Sequence, residues 1–99
     1  MSAARKYAKA PIVRAFQFKL KISDEWAALA LFDFCESDYD KDIVEEVAAR
    51  AQGGMTVLTM ERRPYKRLLK MIEHLTGTVD RIDTIDLYER IKAAKYMEL

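Results

Sequence analysis

The sequence predicts a small α+β domain in which two or three short antiparallel strands are packed by three to four helices. One segment alternates apolar and polar residues with the period of a strand, and several others repeat apolar residues at helical spacing. Glycine (3) and proline (2) are too scarce for long loops. We therefore expect one domain over residues 11–99 of the 99-residue chain, preceded by a basic, flexible tail at residues 1–10.

The composition is that of a globular protein, with 51% hydrophobic and 33% charged residues. The single cysteine cannot form an internal disulfide, which suits a reducing compartment. No apolar run approaches the roughly 20 residues that span a bilayer, and the opening MSAARKYAKA lacks the apolar core of a signal peptide. These features predict a soluble cytoplasmic protein with no membrane partner.

The first strand and the first helix follow directly after the tail. Phe16, Phe18, Leu20 and Ile22 alternate with polar residues, as in a strand with one solvent-exposed face. Ser23 is a suitable cap for a helix over Asp24–Glu36, whose WAALALF run has almost no polar side. Such a helix either lies centrally against the sheet or lies partly in a subunit or partner interface. The residues predicted for an interface, with a homodimer as the expected assembly, are Trp26, Leu29, Leu31 and Phe32.

The next segment, SDYDKD, resembles the start of a calcium loop but lacks its glycine and its final glutamate, since Ile43 and Ala49 stand there. Its aspartates are therefore predicted to cap a helix over Tyr39–Gln52 that ends at Gly53 and Gly54, and no metal site is expected.

The second half of the chain adds a strand at residues 55–60 and a helix at residues 62–75 that ends near Gly77. A third short strand is predicted over Thr78–Ile82, and a last helix, capped by Asp83 or Thr84, over residues 84–97. This order is compatible with a ferredoxin-like variant in which the second helix replaces a strand.

Charge is strongly segregated although the net charge is only +1. Residues 1–23 carry +6, residues 24–46 carry −8, residues 47–75 carry +4 and residues 76–99 carry −1. A near-neutral total argues against a generic polyanion binder, but the segregation permits a local basic surface.

The helix at residues 62–75 concentrates this basic charge on one side. Its opposite side is apolar, and Pro64 suits its first position. The predicted contact residues are Arg62, Arg63, Lys66, Arg67 and Lys70. Three interpretations stay open: neutralisation by solvent or by the acidic segment 36–46, an acidic surface on a host protein, or nucleic acid. No zinc-finger spacing, RNP-like aromatic string or clear helix-turn-helix accompanies the basic side.

No catalytic signature stands out in the sequence. Cys35 and His74 are the only candidates for a thiol–imidazole pair, and Cys35 lies in the most apolar segment, where a free cysteine is usually inert. The sequence contains no GxGxxG, P-loop or GxSxG motif. We expect a protein that is not an enzyme and needs no cofactor.

The segment RKYAKAPIVRAFQF, Arg5–Phe18, resembles the start of a group of small, mostly uncharacterised bacteriophage proteins. That group opens with a basic stretch, a Lys-x-Pro-Val-Val type strand, and then alanine, an apolar residue, glutamine and an aromatic residue. The matching positions are Lys9, Pro11, Ile12, Val13, Ala15, Phe16, Gln17 and Phe18. The resemblance implies a phage or prophage origin, and hence the host bacterial cytoplasm.

Small phage proteins without catalytic motifs commonly bind and block a host protein. The leading hypothesis from the sequence is therefore a non-enzymatic host-takeover or anti-defence inhibitor. The alternative is a nucleic-acid-binding accessory or regulatory protein that uses the basic helix 62–75.

Overall fold

The computed structural model describes residues 12–54 and 56–99, which form a three-stranded antiparallel sheet packed by helices. The strands are β1 (Arg14–Lys19), β2 (Val57–Glu61) and β3 (Lys95–Glu98). The helices are α1 (Glu25–Ala30), α2 (Asp38–Gln52), α3 (Arg62–Thr76) and α4 (Ile82–Lys92). This architecture confirms the predicted α+β class. The tail predicted at residues 1–10 lies outside the described residues.

The sheet has the order β2-β1-β3, so the first strand is central and pairs antiparallel with both neighbours. Phe16 lies opposite Met60 and Tyr96 on the side that faces the helices. On the other side Gln17 donates a hydrogen bond to the hydroxyl of Thr59 over 3.2 Å. Phe16 and Phe18 therefore face the helices, as the alternation predicts. The strand ends at Lys19, however, and Ile22, predicted for the same face, lies in a 3₁₀ turn and is 66% exposed.

The central position of β1 is compatible with a ferredoxin-like variant, the option raised from the sequence in which a helix replaces the second strand. The helix in that position is α2. Between α3 and β3 the chain inserts α4, which packs against α3 and contributes Leu87 and Ile91 to the core.

The predicted helix Asp24–Glu36 is wrong in its extent. Only α1 is α-helical, and the 3₁₀ turns Ile22–Asp24 and Leu31–Phe34 flank it. Ser23 does not cap it; the carboxylate of Asp24 instead accepts the backbone N–H of Lys21 over 2.6 Å. Ala27, Ala28 and Leu31 lie on one side of this segment and are fully buried.

The predictions for the third strand and the last helix are also wrong. Residues 78–81 connect α3 to α4, and the amides of Thr78 and Val79 both donate to the carbonyl of Leu75. The last helix ends at Lys92, and the third strand is β3. Backbone bonds between Val13 and Leu99, 2.8 and 3.4 Å long, extend its pairing with β1. Tertiary pairing thus overrides a segment whose local pattern suited a helix.

Candidate functional site

The helix α3 begins with an unusual arrangement of charge. Glu61 is its N-cap residue, but its side chain makes no capping bond, and the first turn holds no acidic residue. Arg62 and Arg63 occupy that turn instead, where the positive end of the helix dipole disfavours cations by roughly 0.3–1 kcal/mol. Pro64 lies at the third helical position rather than the first, which still spares an intrahelical hydrogen bond.

The orientation of α3 is set by its buried side. The ring of Tyr65 stacks on that of Phe16 with centroids 4.1 Å apart, and its hydroxyl donates to the carbonyl of Ile91 over 2.6 Å. Leu68 and Ile72 are fully buried one and two turns further along. Because this side faces the core, the cations on the opposite side are held in solvent.

Arg67 is an exception among the five predicted contact residues. Its Nε and Nη2 donate to the two carboxylate oxygens of Asp40 over 2.8 and 2.9 Å, and Nη2 lies 3.4 Å from Glu36. The Asp40 side chain is only 3% exposed and also accepts the backbone N–H of Glu36. The hydrogen bond from Arg67 lowers the pKa of Asp40, against the opposing effect of burial. Arg67 therefore joins α3 to the start of α2 and is largely neutralised within the chain.

The other four cations form the surface that we call the basic face: Arg62, Arg63, Lys66 and Lys70. All four are exposed, and none forms an ion pair with a carboxylate among residues 12–54 and 56–99. The acidic segment 36–46 therefore neutralises one of the five cations rather than the whole row.

Two of the shallow depressions that border the basic face lie beside the start of α3. The larger, of about 800 Å³, lies between the start of α3, the chain just before β1 and Tyr39 of α2. Its lining residues are Ile12, Val13, Arg14, Tyr39, Glu61, Arg62, Arg63 and Pro64. The smaller, of about 500 Å³, continues along Tyr39, Lys66 and Arg67. Ile12 and Tyr39 are exposed apolar groups beside the arginines, and no periodic signal in the sequence assigns them to this surface.

The structure does not join Cys35 and His74 into a nucleophilic pair. The thiol of Cys35 donates to the carbonyl of Leu31 over 3.6 Å, and burial raises its pKa. The ring of His74 instead packs against Phe34, with centroids 5.0 Å apart. A raised thiol pKa opposes formation of the thiolate, which is the reactive species.

The prediction that the aspartates of the SDYDKD segment cap the second helix is wrong, because a serine occupies that position. Ser37 is the N-cap and accepts the amide of Asp40 over 3.2 Å, while Asp38 lies in the first turn. Among the residues that the structure describes, no three potential metal ligands cluster together.

The predicted interface residues divide into two groups. Leu31 is fully buried in the protein's own core, so the structure removes it from any partner surface. Trp26, Leu29 and Phe32 are 41%, 45% and 36% exposed. With Ile22 they form a line of apolar side chains that we call the apolar ridge.

No family model, curated protein or solved structure matches this chain. Within the described residues, no helix combines the length and hydrophobicity needed to cross a membrane.

Proposed function

We propose that this protein is a small non-enzymatic interaction protein that binds an acidic surface of another protein through the basic face. The observation that carries the proposal is the contrast within α3. Arg67 has two carboxylate partners, whereas the four cations around it have none among the described residues. The fold pairs one cation of α3 with carboxylates and leaves the four cations of the basic face available for an external anion.

These four cations contribute little to the fold itself. Arg62 and Arg63 oppose the helix dipole. Lys66 and Lys70 are one turn apart, a spacing at which like charges repel by roughly 0.2–0.5 kcal/mol. An acidic partner would reverse both costs, which supports a binding role.

The surroundings of the basic face favour a protein over nucleic acid. Ile12, Tyr39 and Pro64 bring apolar surface to the depression, and arginine and tyrosine are enriched at protein interfaces. The same depression contains the Glu61 carboxylate, which would repel a phosphate. The net charge of +1 also provides little general attraction for a polyanion.

Nucleic acid is the second candidate, and one observation supports it. Tyr39 is 49% exposed beside Arg62 and Arg63, and an aromatic ring next to cations can stack on an unpaired base. Binding of that kind would weaken steeply with salt, since each phosphate contact releases counterions.

The phage resemblance of residues 5–18 adds a further step to the proposal. If the chain is phage-encoded, the acidic partner is a protein of the bacterial host, and the outcome of binding is inhibition or redirection of that protein. Half of the resembling segment precedes the described residues, and the resemblance itself is one of sequence, so this step rests on the sequence.

The test is a tagged pull-down from bacterial lysate, with and without nuclease, read by mass spectrometry. We expect one stoichiometric protein that survives nuclease and is lost from the variant Lys66→Glu/Lys70→Glu. The matched control is Lys41→Glu/Lys92→Glu, which changes the net charge equally at exposed lysines outside the basic face. If many proteins are recovered and are lost on nuclease treatment, the basic face binds nucleic acid instead. If both variants lose their bound partner equally, the basic face binds neither a protein nor nucleic acid specifically.

A further inference from the structure

The apolar ridge lies on the outer side of the segment 22–34. Ala27, Ala28 and Leu31 point into the core, and the ridge residues point away from it. The exposed fractions of the ridge side chains range from 36% at Phe32 to 66% at Ile22. This segment thus places apolar side chains on two opposite sides, of which the fold covers one.

Neighbouring groups extend the ridge and hold it in place. The guanidinium of Arg81 lies 3.6 Å from the ring centroid of Trp26, and Ile85, one turn further along α4, is 40% exposed. From their exposed fractions, the ridge residues and Ile85 together leave roughly 500 Å² of residue surface in solvent, which is within the ~300–600 Å² of the largest apolar patch on a typical monomer. A polar rim around it would approach the ~800 Å² that each partner contributes to a standard interface.

The ends of the ridge carry opposite charges. Lys21 precedes it, with a side chain that is 57% exposed although it also lies 3.6 Å from Asp86. Asp33 is exposed at the other end. Two ridges packed side by side in parallel would bring like charges together, whereas an antiparallel arrangement would bring each lysine to an aspartate.

The apolar residues have the same symmetry. An antiparallel second copy that aligns Lys21 with Asp33 also aligns Ile22 with Phe32, and brings Trp26 within one residue of Leu29. All three pairs share a midpoint at Ala27 or between Ala27 and Ala28. A second copy placed by a two-fold axis at that midpoint would bring these pairs together across the contact, as an isologous interface requires.

We propose that a second copy of this chain covers the apolar ridge, in a two-fold dimer in which Trp26 packs on Leu29 of the second copy and Lys21 pairs with its Asp33. A surface that is symmetric about its own centre can complement a second copy of itself, whereas a partner of another sequence gains nothing from that symmetry. The proposal does not rest on the function proposed above, because the ridge and the basic face share no residue.

The first experiment measures mass by light scattering and sedimentation. We expect twice the chain mass of 11.5 kDa at ~100 μM, and an association about 100-fold weaker for Leu29→Glu, since each dimer would bury the new charge twice. The control is Ala49→Glu, which adds the same charge at an exposed residue of α2 outside both the ridge and the basic face. Trp26 is the only tryptophan, so its emission should shift to longer wavelength on dilution in step with dissociation.

The second experiment tests the pairing of charges and does not depend on an apolar substitution. Asp33→Lys should weaken association about tenfold, and Lys21→Glu/Asp33→Lys should restore it, while the control Asp42→Lys leaves it unchanged. The charge variants test the dimer even if circular dichroism shows that Leu29→Glu does not fold. A wild-type chain that stays monomeric at ~100 μM would overturn the proposal. So would a dimer that neither the charge swap nor a folded Leu29→Glu variant affects.

Discussion

The ion pair between Arg67 and Asp40 removes one cation of α3 from the set that can bind a partner. Arg67 and Asp40 are 27 positions apart and form a two-pronged hydrogen bond at 2.8 and 2.9 Å. Asp40 also accepts the amide of Glu36, so its two oxygens receive three hydrogen bonds within the chain. A carboxylate with this many donors is part of the fold, and its charge is tied to folding.

At the residue scale, Asp40→Asn is expected to lower the free energy of unfolding by about 2 kcal/mol at neutral pH, because it leaves Arg67 with only the exposed carboxylate of Glu36, 3.4 Å away. The folded-state pKa of Asp40 is lowered by the hydrogen bond from Arg67. Its stabilising effect is therefore present above the unfolded-state pKa of about 4 and is lost as the pH falls through the folded-state value.

Urea denaturation of the wild type and the variant at pH 7, 5 and 3 checks this expectation. The difference between them should be constant from pH 7 to 5 and should shrink at pH 3. Asp42→Asn, at an exposed position on the same helix, should change stability by less than about 0.5 kcal/mol. A difference that grows on acidification would contradict the assignment.

At the scale of elements, one arginine holds the segment 22–34 in place. The guanidinium of Arg90 donates to both oxygens of Asp24 over 2.6 and 2.9 Å and to the carbonyl of Lys19 over 2.7 Å. It thereby joins α4 to the end of β1 and to the turn that precedes α1. The helix α1 has only six residues, too few to be stable alone. Its position therefore depends on contacts such as these hydrogen bonds from Arg90.

Arg90→Met is expected to lower the free energy of unfolding by about 3 kcal/mol, because Asp24 would remain buried without its cation. Arg90→Lys should fall between this variant and the wild type, since one ammonium cannot reproduce the two-pronged contact. The matched control is Lys92→Met, an exposed cation on the same helix. Thermal and urea denaturation measure all three. Equal losses for Arg90→Met and Lys92→Met would show that the link is not what holds the segment.

At the scale of the whole molecule, the sheet depends on a strand from the far end of the domain. β3 pairs with the edge of β1 that β2 leaves free, and Tyr96 packs its ring against Phe16 at a centroid distance of 5.4 Å. The backbone bonds between Val13 and Leu99 set the register. Because hydrogen-bonded pairs alternate along an antiparallel ladder, Met97 opposite Ala15 forms such a pair and Glu98 opposite Arg14 does not.

This register makes a pair of proline substitutions informative. Met97→Pro is expected to lower the free energy of unfolding by about 3 kcal/mol, because it removes a donor to β1. Glu98→Pro should cost less than about 1 kcal/mol, because that amide faces away from the ladder. Urea denaturation, with circular dichroism as a check on folding, measures both. If both proline variants lose a similar amount of stability, residues 95–98 do not form the strand, because a helix there would be disrupted equally by either proline.

Local sequence patterns were enough to predict the fold class, two long helices and one short strand. The helix predicted at Tyr39–Gln52 is α2 at Asp38–Gln52, and the helix predicted at residues 62–75 is α3 at Arg62–Thr76. The strand predicted at residues 55–60 is β2 at Val57–Glu61, with Met55 outside the described residues. In each case local periodicity and the core agree, so neighbouring residues carry enough information.

Contacts between distant parts of the chain determine the position of the third strand, the length of α1 and which cations of α3 are paired with carboxylates. Residues 95–98 suit the end of a helix locally, but the open edge of β1 supplies backbone partners that no local pattern can reveal. Arg67 and Lys66 are adjacent and basic, yet one faces Asp40 and the other faces solvent. The packing of α3 against α2 separates them, because an ion pair forms between surfaces that meet only after the chain has folded.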